Sequence, residues 1–300
     1  TKDKVVHTAV GFAPSMGTNK PFEASYIYTC PKCQHIIVDN DRQNIDNHDC
    51  PYCNEPVNGG LIRRVVVPYN YVTSLNHKDS LDDMPVFTQK APSLSENVDN
   101  QDQNNSILNP RAILATQSLT WRVNNNNEEG YKGHYEKRES NRQPYFIWVT
   151  DGYSLGPNRP NQDDIASLDD YVDNVAIACC KSTNIIHLCL KSVNSLLNTA
   201  LFSDDIANHP GGQVGLRSAF YSAAFIIQRS LAELLDVNPE EIEISSLQKC
   251  LARQDGRDVD SAEIILNDQL VNGSGFVRHL FEKDLEYILS PLSSEVNPRG

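Results

Sequence analysis

An α+β architecture, in which a small cysteine-built ribbon precedes a mixed α/β domain, is predicted by three features of this 300-residue sequence. Two Cys-Pro-x-Cys units stand near the start, at Cys30/Cys33 and Cys50/Cys53. Short β-prone runs such as Leu61–Val67 and Asn184–Leu190 recur along the chain. A single long stretch, Gly215–Asp236, places Leu216, Phe220, Ala223, Ile227, Leu231 and Leu234 at helical steps of three and four.

The elements follow in order. Thr1–Ala24 holds an apolar run and then turn-rich sequence, and Ser25–Cys30 is a β-prone entry to the first cysteine pair. His35–Val38 reads as a ribbon strand, Asp39–Asp49 as a polar loop, and Leu61–Val67 as the strand leaving the second pair. This bounds a first module at 1–71. Residues 72–110 read as a flexible linker or long loop, because Ser80–Pro110 is rich in Asp, Asn, Gln, Ser and Pro and has too few apolar side chains to offset its ordering entropy. The mixed α/β domain occupies 111–300. Within it, strands are expected at Ile113–Val123, Tyr145–Thr150, Asn184–Leu190, Glu241–Ser245 and Ser261–Asp268. The helix Gly215–Asp236 falls between the third and fourth of these strands, and a terminal helix is expected at Phe276–Leu289.

Composition narrows the function. A net charge of −13 opposes unassisted binding to bulk nucleic acid or to an anionic membrane, so any nucleic-acid contact must be local. No apolar run reaches the roughly 18 residues of a membrane helix, and no charged-then-apolar leader opens the chain, which points to a cytoplasmic protein with no membrane partner. The start at Thr1 and the end at Asn297-Pro-Arg-Gly are expected of a processed, trimmed or fragmentary chain.

The cysteines carry the sharpest chemical signal. Four of the eight lie in the two Cys-Pro-x-Cys units, which are separated by sixteen residues. Two thiols two residues apart on a tight turn aim at one point, and a second such turn completes a tetrahedron of sulfur that suits Zn2+. A redox pair would need only one unit, at a helix start. Four thiolates close the metal's shell and leave no position for water, so the predicted role is structural. His35 and His48 lie near enough in sequence to replace one cysteine. His187, Cys179, Cys180 and Cys189 read as core residues, since a second metal site would need a further ligand such as Cys250 and no ligand spacing supports one.

Two weaker signals remain. Gly130–Gln143 gathers Lys132, His134, Lys137, Arg138 and Arg142 with Tyr131 and Tyr135, a pattern that fits either a solvated hairpin arm or a nucleic-acid-binding strip. Asn272, Gly273, Ser274 and Gly275 form a turn between a strand and a helix, where backbone N–H groups collect. That turn serves either packing or an anion, and an enzyme site there would draw on Asp268 and Arg278. No nucleotide-hydrolysing loop, serine elbow or His-Glu-x-x-His motif occurs, and nothing in the sequence compels a catalytic role.

Three runs in order carry a family resemblance. They are Val214-Gly-Leu-Arg-Ser-Ala-Phe-Tyr-Ser-Ala-Ala-Phe, then Leu-Leu-Asp-Val-Asn-Pro-Glu-Glu-Ile-Glu-Ile, then Glu263-Ile-Ile-Leu-Asn-Asp-Gln-Leu-Val-Asn-Gly-Ser-Gly-Phe-Val-Arg-His-Leu. Together, over about Asp173–Leu289, they resemble the helicase-associated domain found at the C-terminal ends of some bacterial superfamily-two helicases and in the DrmB subunits of the DISARM anti-phage system. Members of that family usually carry a further cysteine cluster after the terminal helix, and this chain reaches Gly300 without one. The resemblance implies a non-catalytic accessory subunit of a defence complex that docks on a DNA helicase, meets DNA through that complex and leaves the ATP-driven motor to another polypeptide.

Overall fold

The computed structural model describes residues 5–13, 25–68, 70–80, 93–95, 111–125, 130–137, 144–148, 171–207, 209–284 and 288. Thirteen strands among them join into one connected sheet. In chain order they are β1 (Val5–Ala13), β2 (Ser25–Thr29), β3 (Ile36–Asp39), β4 (Arg63–Val66), β5 (Asn70–Ser80), β6 (Ser93–Ser95), β7 (Arg111–Asn124), β8 (Tyr131–Lys137), β9 (Pro144–Trp148), β10 (Tyr171–Cys189), β11 (Ile242–Ile244), β12 (Gln248–Gln254) and β13 (Arg257–Asp268). The described helices are α1 (Arg42–Asp46), α2 (Asp204–Ala207), α3 (Pro210–Leu235) and α4 (Phe276–His279), the last running into a π-helical turn at Leu280–Asp284.

The hub is β10, longer than the Asn184–Leu190 strand that its apolar run predicts. One edge pairs antiparallel with β8 and then with β7, from Ile177 opposite Asn124 to Cys189 opposite Arg111. The other edge pairs parallel with β4 at Val175–Ile177 and antiparallel with β13 at Ile185–Leu188. Asn174, in the left-handed region at φ 56°, marks the irregularity between Val172 and Val175. Its amide donates to the Ile62 carbonyl at 2.8 Å and so ties β10 to the chain leaving the second cysteine pair.

Alternate residues of β13 face opposite ways, as strand geometry requires. Ala262, Ile264 and Leu266 join Ile186, Leu188, Ile227, Leu231, Ile242, Val277 and Leu280 in the main core, which α3 covers. Pro210 opens α3 at a position where its missing N–H costs nothing, and Asp236 ends it in the left-handed region, its N–H capping the last carbonyls.

The first module does not stand apart from the rest. β2 pairs with both β3 and β4, and β4 pairs with β10, so the ribbon extends the main sheet. Ile27, Ile36 and Val65 share a core with Trp121, Ala176 and Ala178. Within the segment expected to be linker, Ser93–Ser95 is a strand paired with β7, and both serines are buried. Polar contacts join Leu94, which packs against the Trp121 core, in holding it: Gln248 Nε2 donates to the Ser95 carbonyl at 2.8 Å, and Ser95 Oγ bonds Ser245 Oγ at 3.1 Å. The loop expected at Asp39–Asp49 contains α1, capped by Asp41, whose carboxylate accepts from Gln43 N at 2.9 Å.

Candidate metal centre

Each cysteine pair sits on the same backbone turn. Cys30 N donates to the His35 carbonyl and Gln34 N to the Cys30 carbonyl, both at 2.9 Å. Cys50 N and Asn54 N repeat the pattern toward Glu55 O and Cys50 O, both at 2.8 Å. Gln34 and Asn54, the residues after the second cysteine of each pair, adopt φ of 62° and 55°. The repeated turn makes the two units equivalent clamps facing each other.

The four sulfurs converge. Cys30 Sγ lies 3.6 Å from Cys53 Sγ, and Cys33 Sγ lies 3.6 Å from Cys50 Sγ. All four lie within 4.8 Å of one another. A tetrahedron of bonds of about 2.3 Å places its sulfurs about 3.8 Å apart, so these residues fit a zinc ion closely. Cys30, Cys33 and Cys50 are buried and Cys53 is half-buried, packed with Tyr28, Ile45 and Ile62. Burial raises the Cys33 thiol and pushes Cys53 up to about 11. Burial opposes ionisation of Cys30 too, yet the N–H groups of Cys33 and Lys32 bring its thiol below the ordinary value.

Neither nearby histidine enters the cluster. His48 is exposed, and His35 is buried with its ring stacked on Tyr52 at 4.2 Å. Burial lowers the pKa of His35, with the charges of Glu263 and His187 as smaller influences. No other group of three or more potential ligands converges among the described residues. Of the residues expected in the core, Cys179 is exposed and Cys180 half-buried, whereas His187 and Cys189 are buried. Cys189 is bonded to Cys250, a bridge across 61 residues that no local spacing signals.

The glycine turn has a defined occupant. Asp268, fully buried, accepts from Gly275 N at 2.8 Å and Val277 N at 3.1 Å, and also from Asn184 Nδ2 at 3.1 Å. The chain's own carboxylate therefore takes the donors that a bound anion would use. Arg278 is exposed and pairs with Glu282 at 2.7 Å, so it does not join Asp268 in one cleft. Gly273 is required by space as well as by its φ of 79°, since a Cβ there would stand 2.3 Å from Asn184 Nδ2. Asn272 and Ser274 complete the turn, with Asn272 N donating to Ser182 O at 2.7 Å.

Lys132, His134 and Lys137 fall on β8, but their side chains, together with Arg138 and Arg142, lie outside the described residues. A polar cluster that sequence reading missed joins Lys181 to Glu243 at 2.9 Å, with Arg122 on the same carboxylate. Burial first, and the Arg122 charge second, lower Lys181 to about 8. Its ammonium also donates to the carbonyls of Asp268 and Gln269, so the cluster fastens β10 to β11 and to the end of β13.

The class defined by fold and site is a mixed α/β protein, mostly sheet, with an N-terminal four-cysteine cluster fit for zinc. Compared with known families, characterised proteins and solved structures, the chain matches none. No helix among the described residues is long and apolar enough to cross a membrane.

Proposed function

We propose that this chain is a zinc-stabilised, non-catalytic accessory subunit of a bacterial anti-phage complex, cytoplasmic, docking on a DNA helicase and aiding or regulating its engagement of DNA. One observation carries most weight. The three sequence runs behind the resemblance to helicase-associated domains become α3, β11 with its preceding turn, and β13 with the glycine turn and α4, and they pack into a single core. Sequence order and spatial contact thus agree on one unit.

The chemistry of the sites supports a role without catalysis. A four-thiolate zinc shell has no open position for substrate or water. The glycine turn spends its donors on Asp268. A protein partner is supported by the large apolar side chains that α3 leaves in solvent, Val214, Phe225 and Ile226. In this reading β8, which carries Lys132, His134 and Lys137, is the candidate element facing DNA within the complex.

The test is affinity capture of the tagged chain from its native cells, followed by assay of copurifying proteins for DNA-stimulated ATP hydrolysis. The reading predicts a stoichiometric helicase whose ATPase changes when the chain is added back. A lone monomeric chain under gentle conditions, or a helicase indifferent to it, would overturn the proposal.

A further inference from the structure

We propose that the Cys189–Cys250 bridge is a redox-controlled brace of the metal centre, and that its reduction loosens the first cysteine turn and speeds zinc release. The two groups are joined by a short path. Cys250 lies on β12, and the adjacent Lys249 donates its backbone N–H to the carbonyl of Cys33 at 2.9 Å. Cys33 is itself one of the four sulfur ligands of the centre. The bridge to Cys189 fastens this part of β12 to the end of β10, the hub strand of the sheet.

Other contacts also hold β12, some of them at Lys249 itself. Its pairing with β13 spans Gln248–Gln254, and the Lys249 ammonium meets Asp260 at 2.8 Å. Farther along, Arg253 N donates to Lys191 O and Val193 N to Arg253 O. With the bridge open, β12 keeps these contacts and the fold persists, but the segment that meets Cys33 loses its covalent tie to β10. The knuckle then opens more often, exposing thiolates to a competing chelator.

The chemistry is an ordinary exchange with a dithiol reductant. Cys250 is half-buried whereas Cys189 is buried, so an incoming thiolate reaches the Cys250 sulfur. It forms a mixed disulfide there and expels Cys189, which takes a proton. The reductant's second thiolate then attacks its own sulfur in that mixed bond, releasing Cys250 as a thiol and leaving the reductant as a disulfide. Two electrons and two protons pass from reductant to protein. The reverse reaction, with a small-molecule disulfide as oxidant, restores the brace.

The experiment follows zinc transfer from the loaded full chain to an excess of a chromogenic chelator. Oxidised wild type is compared with wild type reduced by a thiol-free phosphine, and with the double variant Cys189→Ser, Cys250→Ser measured with and without phosphine. The expected result is release faster by roughly twofold to tenfold in the reduced and the double-variant proteins, the range one backbone hydrogen bond supplies. Phosphine should add nothing to the double variant. Equal release from oxidised and reduced wild type would overturn the proposal, as would a thiol count showing Cys189 and Cys250 free in air-purified protein. If the double variant does not fold, the wild-type comparison alone decides.

Discussion

Gln34 and Asn54 occupy the left-handed region in matching places, and this pairing explains why two Cys-Pro-x-Cys units make one site. The cysteine spacing was legible in the sequence, but the backbone that aims the sulfurs depends on these two polar residues, for which side-chain spacing carries no signal. Because Cys33 and Cys53 are raised by burial, they hold their protons at neutral pH when no metal is bound. Zinc must displace a proton from each, so affinity should rise with pH and fall on acidification. Calorimetry of zinc binding in buffers of different ionisation enthalpy should register that release. Cys33→Ser or Cys50→Ser should abolish stoichiometric zinc, read by elemental analysis. Asp268 was visible in the sequence only as a carboxylate near a turn. Its buried position makes it a cap, and Asp268→Ala should cost about 1–3 kcal/mol in denaturant unfolding by orphaning the Gly275 and Val277 amides.

At the scale of elements, strong periodicity was the readable part. α3 covers the predicted helix from Gly215 to Leu235 and is capped by Asp236, and Ser261–Asp268 is the apolar end of β13. Weak patterns concealed the rest. β10 runs back to Tyr171 through Asp173, Asn174 and Lys181, polar residues that break its alternation; the fold pairs Asn174 with the Ile62 carbonyl and Lys181 with Glu243 of β11. β6 is three residues in a polar stretch, held by serine and glutamine hydrogen bonds that no apolar pattern announces. Trp121 on β7 lies in the core shared by sheet and ribbon. Trp121→Ala should therefore destabilise the protein by about 3–5 kcal/mol and also weaken zinc retention. Chemical denaturation and zinc analysis on the same sample would check both effects.

For the whole molecule, the separation into ribbon and α/β domain that composition predicts becomes continuity in three dimensions, because pairing of β4 with β10 is a non-local contact that sequence periodicity cannot encode. Two cores with different dependence on metal result. Tyr28, Ile45 and Ile62 pack among the cysteines themselves, whereas the core under α3 contains no metal ligand. Zinc loss should thus unfold one end of the molecule and leave the other in place. Hydrogen exchange on the zinc-loaded chain and on the chain stripped by chelator tests this most directly. The account predicts lost protection across 26–62, with that of α3 and of β13 at Ile264–Leu266 retained. Unchanged protection at 26–62, or collapse of the whole sheet at once, would contradict it.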